Sequence, residues 1–181
     1  MSDISSDLIT KAAQGDMKAF EEIYKATSGF VYNVALRITN NRDDADEVTQ
    51  DVFMKAHRNL KDFGFRSSFR TWIYRIAVNT AINHSKKASR HDDHLVEYDP
   101  AIHDAPVAGT ADRVIERQDA EHLVAALLAV LDPDQRACIV LREIQGLDYK
   151  AIAEMLNINI NTVRSRLKRA REKLMVFGRK G

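Results

Sequence analysis

Residues 147–174 read LDYKAIAEMLNININTVRSRLKRAREKL, and this stretch decides the fold class of the C-terminal part of the chain. The pattern predicts a helix, a short turn and a second helix, with Asn161 as the N-cap of the second helix. Val163, Leu167, Ala170 and Leu174 recur at helical spacing and predict one buried stripe. A helix presented by a preceding helix in this way is typical of proteins that place a helix in the DNA major groove.

The second helix is strongly basic. From Thr162 to the C-terminus there are eight lysines and arginines and one acid, Glu172, which gives a net charge of about +7. The positions Arg164, Ser165, Lys168 and Arg171 share a face next to the apolar stripe. A solvated face is the plainer interpretation of such a pattern, but one acid permits few ion pairs within the helix. We therefore interpret this face as a contact for nucleic acid.

The composition favours a helical protein without a membrane span. The chain has 181 residues, 45% of them hydrophobic and 29% charged, with only 7 glycines and 3 prolines. No apolar run approaches the roughly 18 residues of a membrane-spanning helix, and the N-terminus lacks the pattern of a secretory signal. We expect a cytoplasmic protein. Cys138 is the single cysteine, which excludes an internal disulfide, and its apolar neighbours predict a buried position.

The periodicity divides the chain into two helical domains, 1–88 and 112–181, joined by a flexible linker, 89–111. In the first domain, Asp16 is a candidate N-cap, and a loop is expected at 62–68. In the second domain, one amphipathic helix is predicted to place Val114, Leu123, Leu127 and Val130 inward. Asp132 and Pro133 then mark the start of another helix, and Gly146 marks its end. The linker contains His91, His94 and His103 beside aspartates, but a polar linker fixes no ligand geometry, so no metal site is expected.

A second motif mixes aromatic and basic residues. Residues 63–75, FGFRSSFRTWIYR, contain five aromatic and three arginine side chains. Some of these rings belong to the core, and Trp72 is a candidate because Ile76 follows it at helical spacing. One helix and its loop cannot bury all of them on one side, however. Exposed rings beside cations suit a binder of single-stranded nucleic acid, on which bases stack. Asn79 and Asn83 could then hydrogen-bond the edge of an unstacked base.

A third motif is acidic. Residues 42–57, RDDADEVTQDVFMKAH, place five acids near the start of a predicted helix. Acids at this end of a helix are favoured by the helix dipole, which explains the pattern without any function. The alternative is a docking face for a basic protein partner.

The order of these motifs resembles the extracytoplasmic-function (ECF, group IV) sigma factors of bacterial RNA polymerase, over nearly the whole chain. Residues 44–63 resemble the region that docks on the clamp helices of the polymerase β′ subunit, and 65–84 resemble the region that melts and reads the −10 element. Residues 131–174 resemble the domain that reads the −35 element. The turn 157–162, NININT, departs from the GIPVGT-like sequence common in this family but keeps its length. The start of the helix at 148–151 lacks an acidic pair often found in relatives.

The resemblance implies an all-α protein in which a sigma-2-like helical bundle and a sigma-4-like helix-turn-helix domain are joined by the linker. It also implies a role for each group of residues. The implied contacts with core polymerase are Asp46, Glu47, Gln50, Asp51 and Phe53. The implied contacts with the opened −10 strand are Phe63, Trp72, Tyr74, Arg75, Asn79 and Asn83. The implied contacts with the −35 duplex are Tyr149, Lys150, Thr162, Arg164, Ser165, Lys168 and Arg169.

The sequence thus predicts a subunit that directs core polymerase to promoters and assists DNA opening. The partners implied by the resemblance are the β′ clamp helices and β flap of core polymerase, duplex and single-stranded promoter DNA, and an anti-sigma factor. We expect no cofactor, no metal and no enzymatic activity. One alternative is a helix-turn-helix regulator that binds duplex DNA without acting as a polymerase subunit. Another is a nuclease that uses the acids of 43–51 around a metal, although no second acidic set completes such a site.

Overall fold

The computed structural model of the protein describes residues 4–92, the N-terminal block, and residues 122–179, the C-terminal block. In these two ranges all regular structure is helical and no strand occurs, which confirms the predicted all-α fold. The helices are α1 (Ser6–Ala13), α2 (Met17–Thr39), α3 (Arg42–Asn59), α4 (Phe69–Asp92), α5 (described over 122–129), α6 (Pro133–Ile139), α7 (Tyr149–Leu156) and α8 (Ile160–Gly178). A 3₁₀ turn, Leu60–Asp62, follows α3, and a π-helical turn, Val140–Ile144, continues α6.

The N-terminal block is a helical bundle whose helix ends follow the sequence signals. Asp16 caps α2, accepting hydrogen bonds from the backbone N–H groups of Lys18 and Ala19 at 2.9 and 3.1 Å. At the other end of α2, Asn40 adopts a left-handed conformation, with φ of 59°, which asparagine tolerates better than most residues. Asn41 then caps α3. Helices α2, α3 and α4 pack against one another through their apolar faces.

Helix α4 is longer than predicted. It continues to Asp92, through the first four residues of the predicted linker. Residues 85–92 contain no proline or glycine to stop the helix, so the fading of the apolar pattern placed the boundary too early. The remainder of the predicted linker, 93–111, and Val114 lie outside the described residues.

The C-terminal block contains the predicted helix start at Asp132, whose side chain accepts from the backbone N–H of Gln135 at 2.9 Å, with Pro133 at the first helical position. Gly146, just after the π-helical turn, has a φ of 70°, as a chain-stopping glycine should. The inward face predicted for α5 is confirmed only in part. Leu127 and Val130 are partly buried, but Leu123 is 59% exposed, and the buried leucines of this segment are Leu128 and Leu131.

The two blocks contact each other. Helix α6 packs against α2 and α4, and α7 packs against α4. These contacts place the start of the helix-turn-helix beside the helix that carries the aromatic and basic motif. Within the described ranges, no helix combines the length and the apolar character that crossing a membrane requires.

Candidate nucleic-acid interface

The helix-turn-helix is built from α7 and α8. Asp148 caps α7 by accepting from the backbone N–H of Ala151 at 2.7 Å, and Asn157 ends it in a left-handed conformation with φ of 52°. The N-cap of α8 is Asn159, which accepts from the backbone N–H of Asn161 at 2.8 Å. The prediction of Asn161 as this N-cap is therefore wrong, because Asn159 already has the extended backbone that a cap requires and α8 begins at Ile160.

Helix α8 separates into the predicted faces. Val163, Leu167 and Ala170 are buried and Leu174 is partly buried, which confirms the apolar stripe. On the outer side, Arg164, Ser165, Lys168 and Arg169 are exposed.

The basic residues of α8 are not equivalent. Arg166 pairs with Asp134 at 3.1 Å, Arg171 with Glu143 at 2.8 Å, and Lys173 with Asp132 at 3.6 Å. These three pairs join α8 to α6 and the segments flanking it. In the described part of the chain, Arg164 and Arg169 have no acidic partner, and Lys168 approaches Glu172 only at 3.9 Å. Among the basic residues of α8, those available to an external polyanion are therefore Arg164, Lys168 and Arg169.

Arg164, Ser165 and the start of α7 have local partners. Arg164 donates to the side-chain oxygen of Asn161 at 2.9 Å, and the Ser165 hydroxyl donates to the carbonyl of Thr162 at 2.9 Å. Tyr149 is partly buried, with the Arg142 guanidinium 5.4 Å from its ring centroid. Its neighbour Lys150 is exposed, and Thr162 is half-buried. The two helix starts thus offer a cation and a hydroxyl beside backbone N–H groups, which is suitable for phosphate contact.

The aromatic motif is divided between core and surface. Phe63 and Phe69 are buried and Trp72 is partly buried; the Phe63 ring centroid lies 5.2 Å from that of Trp72. Phe65 is the exception, because it is 53% exposed and has a φ of 52° that turns the loop outward. The sequence pattern did not single out Phe65, since an aromatic in a loop gives no periodic signal. In this arrangement Phe63 cannot stack on a base, and its contact with DNA stays a prediction.

The rest of the predicted −10 surface lies along α4. Arg75 and Asn83 are exposed. Tyr74 is buried, its hydroxyl has no hydrogen-bond partner in the structure, and burial raises the pKa of that hydroxyl above its ordinary value. Asn79 donates to the carbonyl of Arg75 at 2.9 Å and to the carbonyl of Met155 in α7 at 3.4 Å. The structure therefore brings this row of residues together but covers part of it with α7.

The acidic surface lies on α3. Asp46, Glu47 and Gln50 are exposed and Asp51 is half-buried. Phe53 is only 5% exposed and packs edge-on against Tyr24, with ring centroids 4.6 Å apart. Any direct contact of Phe53 with a partner is therefore small in area, and its assigned contact stays a prediction. Nearby Met54 is 50% exposed and supplies apolar surface beside these acids.

No cluster of three metal-ligating side chains occurs within 4–92 or 122–179. Of the histidines considered as ligands, His94 and His103 lie outside those ranges, and nothing is described of the His91 side chain.

Comparison with known proteins finds the same two units. A family model of sigma-70 region 2 matches residues 23–91, and one of sigma-70 region 4 matches residues 121–174. The ECF RNA polymerase sigma-E factor of Haemophilus influenzae is 37% identical over 172 residues, covering 91% of this chain and 90% of the relative. The chain belongs to the ECF sigma factors. The predicted function of an RNA polymerase sigma factor is thereby confirmed, and the alternative of a separate duplex-binding regulator is not favoured.

Other relatives of this sigma factor agree. The RNA polymerase sigma-H factor of Pseudomonas aeruginosa is 33% identical, covering 91% of this chain and 89% of the relative. Among solved structures, CnrH in complex with the cytosolic domain of CnrY has a TM-score of 0.61 at 27% identity and covers 97% of both chains. The sigma factor RpoE in complex with the anti-sigma factor NepR, from Bartonella quintana, has a TM-score of 0.61 at 25% identity, covering 87% of this chain and 95% of that one.

Proposed function

We propose that this sigma factor divides promoter recognition between its two blocks. The C-terminal domain, 112–181, reads the −35 duplex, and the N-terminal domain, 1–88, docks on core polymerase and captures the opened −10 strand. The observation that supports this proposal is that the basic side chains of α8 fall into two groups. Arg164, Lys168 and Arg169 face outward, while the other basic side chains are held by acids of the same block.

For the −35 element, the N-terminal half of α8 enters the major groove. Arg164 or Lys168 contacts base edges, where one well-placed pair contributes roughly 1–3 kcal/mol of discrimination. Arg169, Lys150 and the residues near the helix starts, Tyr149, Thr162 and Ser165, hold the phosphate backbone. Phosphate contacts of this kind fix the register of the helix on the duplex but carry little sequence information.

For the −10 element, the side chains that are already exposed make the first contacts with the opened strand. Phe65 and the outer edge of Trp72 offer rings for base stacking, Arg75 offers a cation for phosphate, and Asn83 offers an amide. Asn79 and Tyr74 join the strand contact once α7 has moved off α4. Phe63 supports this surface from below, since its ring packs against Phe65 and Trp72.

For assembly, the exposed side of α3 docks on the β′ clamp helices. Asp46, Glu47 and Gln50 make the polar contacts, with Asp51 at the edge, and Phe53 holds the helix in place from the core side. The C-terminal block contacts the β flap. An anti-sigma factor is a further partner, because the solved neighbours were captured with CnrY and NepR.

The test is run-off transcription with core RNA polymerase on a pool of promoter fragments, with and without this protein. We expect initiation at a defined subset of promoters. Glu47→Lys should abolish initiation by weakening core binding, measured by gel filtration. Glu22→Lys, the same charge change at an exposed acid of α2, serves as the matched control. If Glu47→Lys bound core polymerase as tightly as the wild-type protein does, α3 would not be part of the docking surface.

The same assay separates the two kinds of α8 arginine. Arg164→Ala should lose initiation at −35-dependent promoters while its thermal stability stays at the wild-type value. Arg166→Ala removes a partly buried pair with Asp134 and should instead lower stability, by about 1 kcal/mol. Equal loss of promoter selectivity in both variants would contradict the assignment of Arg164 as a base-reading side chain.

A further inference from the structure

Asn161 and Arg164 form an exposed pair near the start of α8. The Nη1 atom of Arg164 donates to the side-chain oxygen of Asn161 at 2.9 Å, and both side chains are exposed. The cap of α8 is supplied by Asn159 and its buried stripe begins at Val163, so neither the helix start nor the core depends on the Asn161 side chain. That side chain nevertheless lies at the end of α8 that the proposed function places in the major groove.

The identity of residue 161 departs from the turn that is common in the family. The fifth position of the GIPVGT-like sequence is glycine, whereas the fifth position of NININT is Asn161. Glycine offers no side-chain atom to DNA. Asparagine adds an oxygen with two lone pairs and an amide with two N–H donors. This sigma factor therefore carries, at the start of α8, a hydrogen-bonding group that the common turn lacks.

The pair keeps most of its hydrogen-bonding capacity free. Arg164 has five N–H donors, and one of them is used by Asn161. The Asn161 oxygen retains its second lone pair, and its two amide N–H groups have no partner within 4–92 or 122–179. Arg164 thus offers donors alone, whereas Asn161 offers donors together with one acceptor. The two side chains are suited to base edges of different kinds.

The spacing of the pair matches two neighbouring base pairs. Residues three apart are separated by about 4.5 Å along a helix axis, and successive base pairs by about 3.4 Å along the duplex. In the major groove, guanine presents two acceptors, O6 and N7, which suit an arginine. Adenine presents the acceptor N7 beside the N6 donor, which suits the amide of an asparagine.

We propose that Asn161 is a specificity-determining residue of the −35 contact and reads an adenine next to the guanine that Arg164 reads. The Asn161 amide donates to adenine N7, and its oxygen accepts from adenine N6 while it still holds Arg164. The guanidinium enters the groove already oriented, which reduces the conformational entropy lost on binding. This inference rests on the proposed reading of the −35 element by α8.

Asn161→Asp separates reading from orientation. Aspartate keeps an oxygen for Arg164 but has no N–H donor, and its carboxylate accepts from N4 of cytosine. An acid in the first turn of a helix is favoured by the helix dipole, so α8 should remain folded. The variant is assembled with core polymerase, and the fragments that the holoenzyme retains from a library randomised through the −35 element are sequenced. We expect the guanine preference to remain and the neighbouring adenine to be exchanged for cytosine.

The expected change in the ratio of adenine to cytosine at that position is about 5- to 150-fold. Asn161→Ala should lose the adenine preference without gaining one for cytosine. The matched control is Asn157→Asp, the same substitution at an exposed residue of the same turn but outside α8. Its added charge should weaken binding to all −35 sequences alike and leave the adenine preference at the wild-type value.

Two outcomes would overturn the inference. One is an unchanged adenine preference in both Asn161 variants. The other is a loss confined to the guanine preference, which would make Asn161 a support for Arg164 and not a reader of DNA. Failure of the proposed function looks different, because Arg164→Ala would then select the same −35 sequences as the wild-type holoenzyme. Thermal denaturation of each variant checks that the fold is retained.

Discussion

At the scale of single residues, Arg136 makes the strongest prediction. Its planar guanidinium donates hydrogen bonds to four backbone carbonyls at once, and the compact ammonium of lysine cannot reproduce that geometry. Burial lowers the pKa of Arg136, yet the group remains charged, so its hydrogen bonds are the stronger, charge-assisted kind. Arg136→Lys should lower the free energy of unfolding by about 2–4 kcal/mol, measured by urea denaturation.

The matched control for Arg136 is Arg37→Lys, at an exposed position in the last turn of α2. That substitution should change the unfolding free energy by less than about 0.5 kcal/mol. If both variants unfolded at the same urea concentration, the network around Arg136 would be energetically irrelevant. From the sequence, Arg136 is indistinguishable from a solvated arginine of a short helix, because two of its four partner carbonyls, those of Ile38 and Thr39, lie almost a hundred positions earlier in the chain.

Cys138 gives a prediction about pH. Burial raises the pKa of its thiol to about 11, since the surroundings disfavour the thiolate. Only the thiolate reacts with disulfide reagents, so the folded protein should react with a thiol-exchange dye far more slowly at pH 8 than the unfolded chain does. Reactivity in the folded state should rise only as the pH approaches 11. Rapid, complete labelling at pH 8 without denaturant would contradict the buried position, which the apolar neighbours of Cys138 had already predicted.

At the scale of helices, the turn of the helix-turn-helix makes the next prediction. Asn159 accepts a backbone N–H at the start of α8, so Asn159→Ala should destabilise the protein by about 1 kcal/mol. Asn161 lies inside α8, where its side-chain oxygen accepts a hydrogen bond from Arg164 and caps no backbone N–H group within the described residues. Asn161→Ala should therefore leave stability unchanged while releasing the Arg164 guanidinium. Thermal denaturation of both variants measures the difference, and the reverse order of stabilities would restore Asn161 as the N-cap.

Local signals identified the helices well and their exact ends less well. Asp16, Asp132 and Gly146 occupy the positions that their side chains or backbone favour, so the sequence predicted those boundaries. Two asparagines close together, Asn159 and Asn161, satisfy the same local pattern, and only the backbone conformation decides between them. The aromatic motif was ambiguous for a similar reason. The sequence shows how many rings the motif contains, but which of them are buried depends on the side of α4 that packs against the bundle.

At the scale of the whole molecule, the sequence predicted both helical units but not their contact. The side chains that make hydrogen bonds or an ion pair between the blocks are polar and are therefore expected at the surface; they include Asn40, Asn79, Lys86 and Arg136. Periodicity indicates the buried side of each helix against its own bundle, and it carries no information on polar contacts between residues that are distant in the sequence. For that reason, the hydrogen bond between Asn79 and Met155 of α7 could not be predicted from the sequence.

If both blocks contact one promoter at the same time, the salt dependence of promoter binding should reflect the phosphate contacts of both. Each duplex phosphate contact contributes about 0.9 to the slope of log affinity against log salt concentration, and each single-strand contact about 0.7. Arg169→Ala in α8 should therefore lower the slope for promoter binding by the holoenzyme by about 0.9, and Arg75→Ala in α4 by about 0.7. The two side chains lie in different blocks and are assigned to different DNA segments, so the double variant should show the sum of both changes.

Filter binding of a promoter fragment over a series of salt concentrations measures the slopes, with Arg37→Lys as a control that should keep the wild-type value. A double variant whose slope equals that of either single variant would mean that only one block holds phosphate at a time, and the division of promoter recognition between the blocks would have to be abandoned.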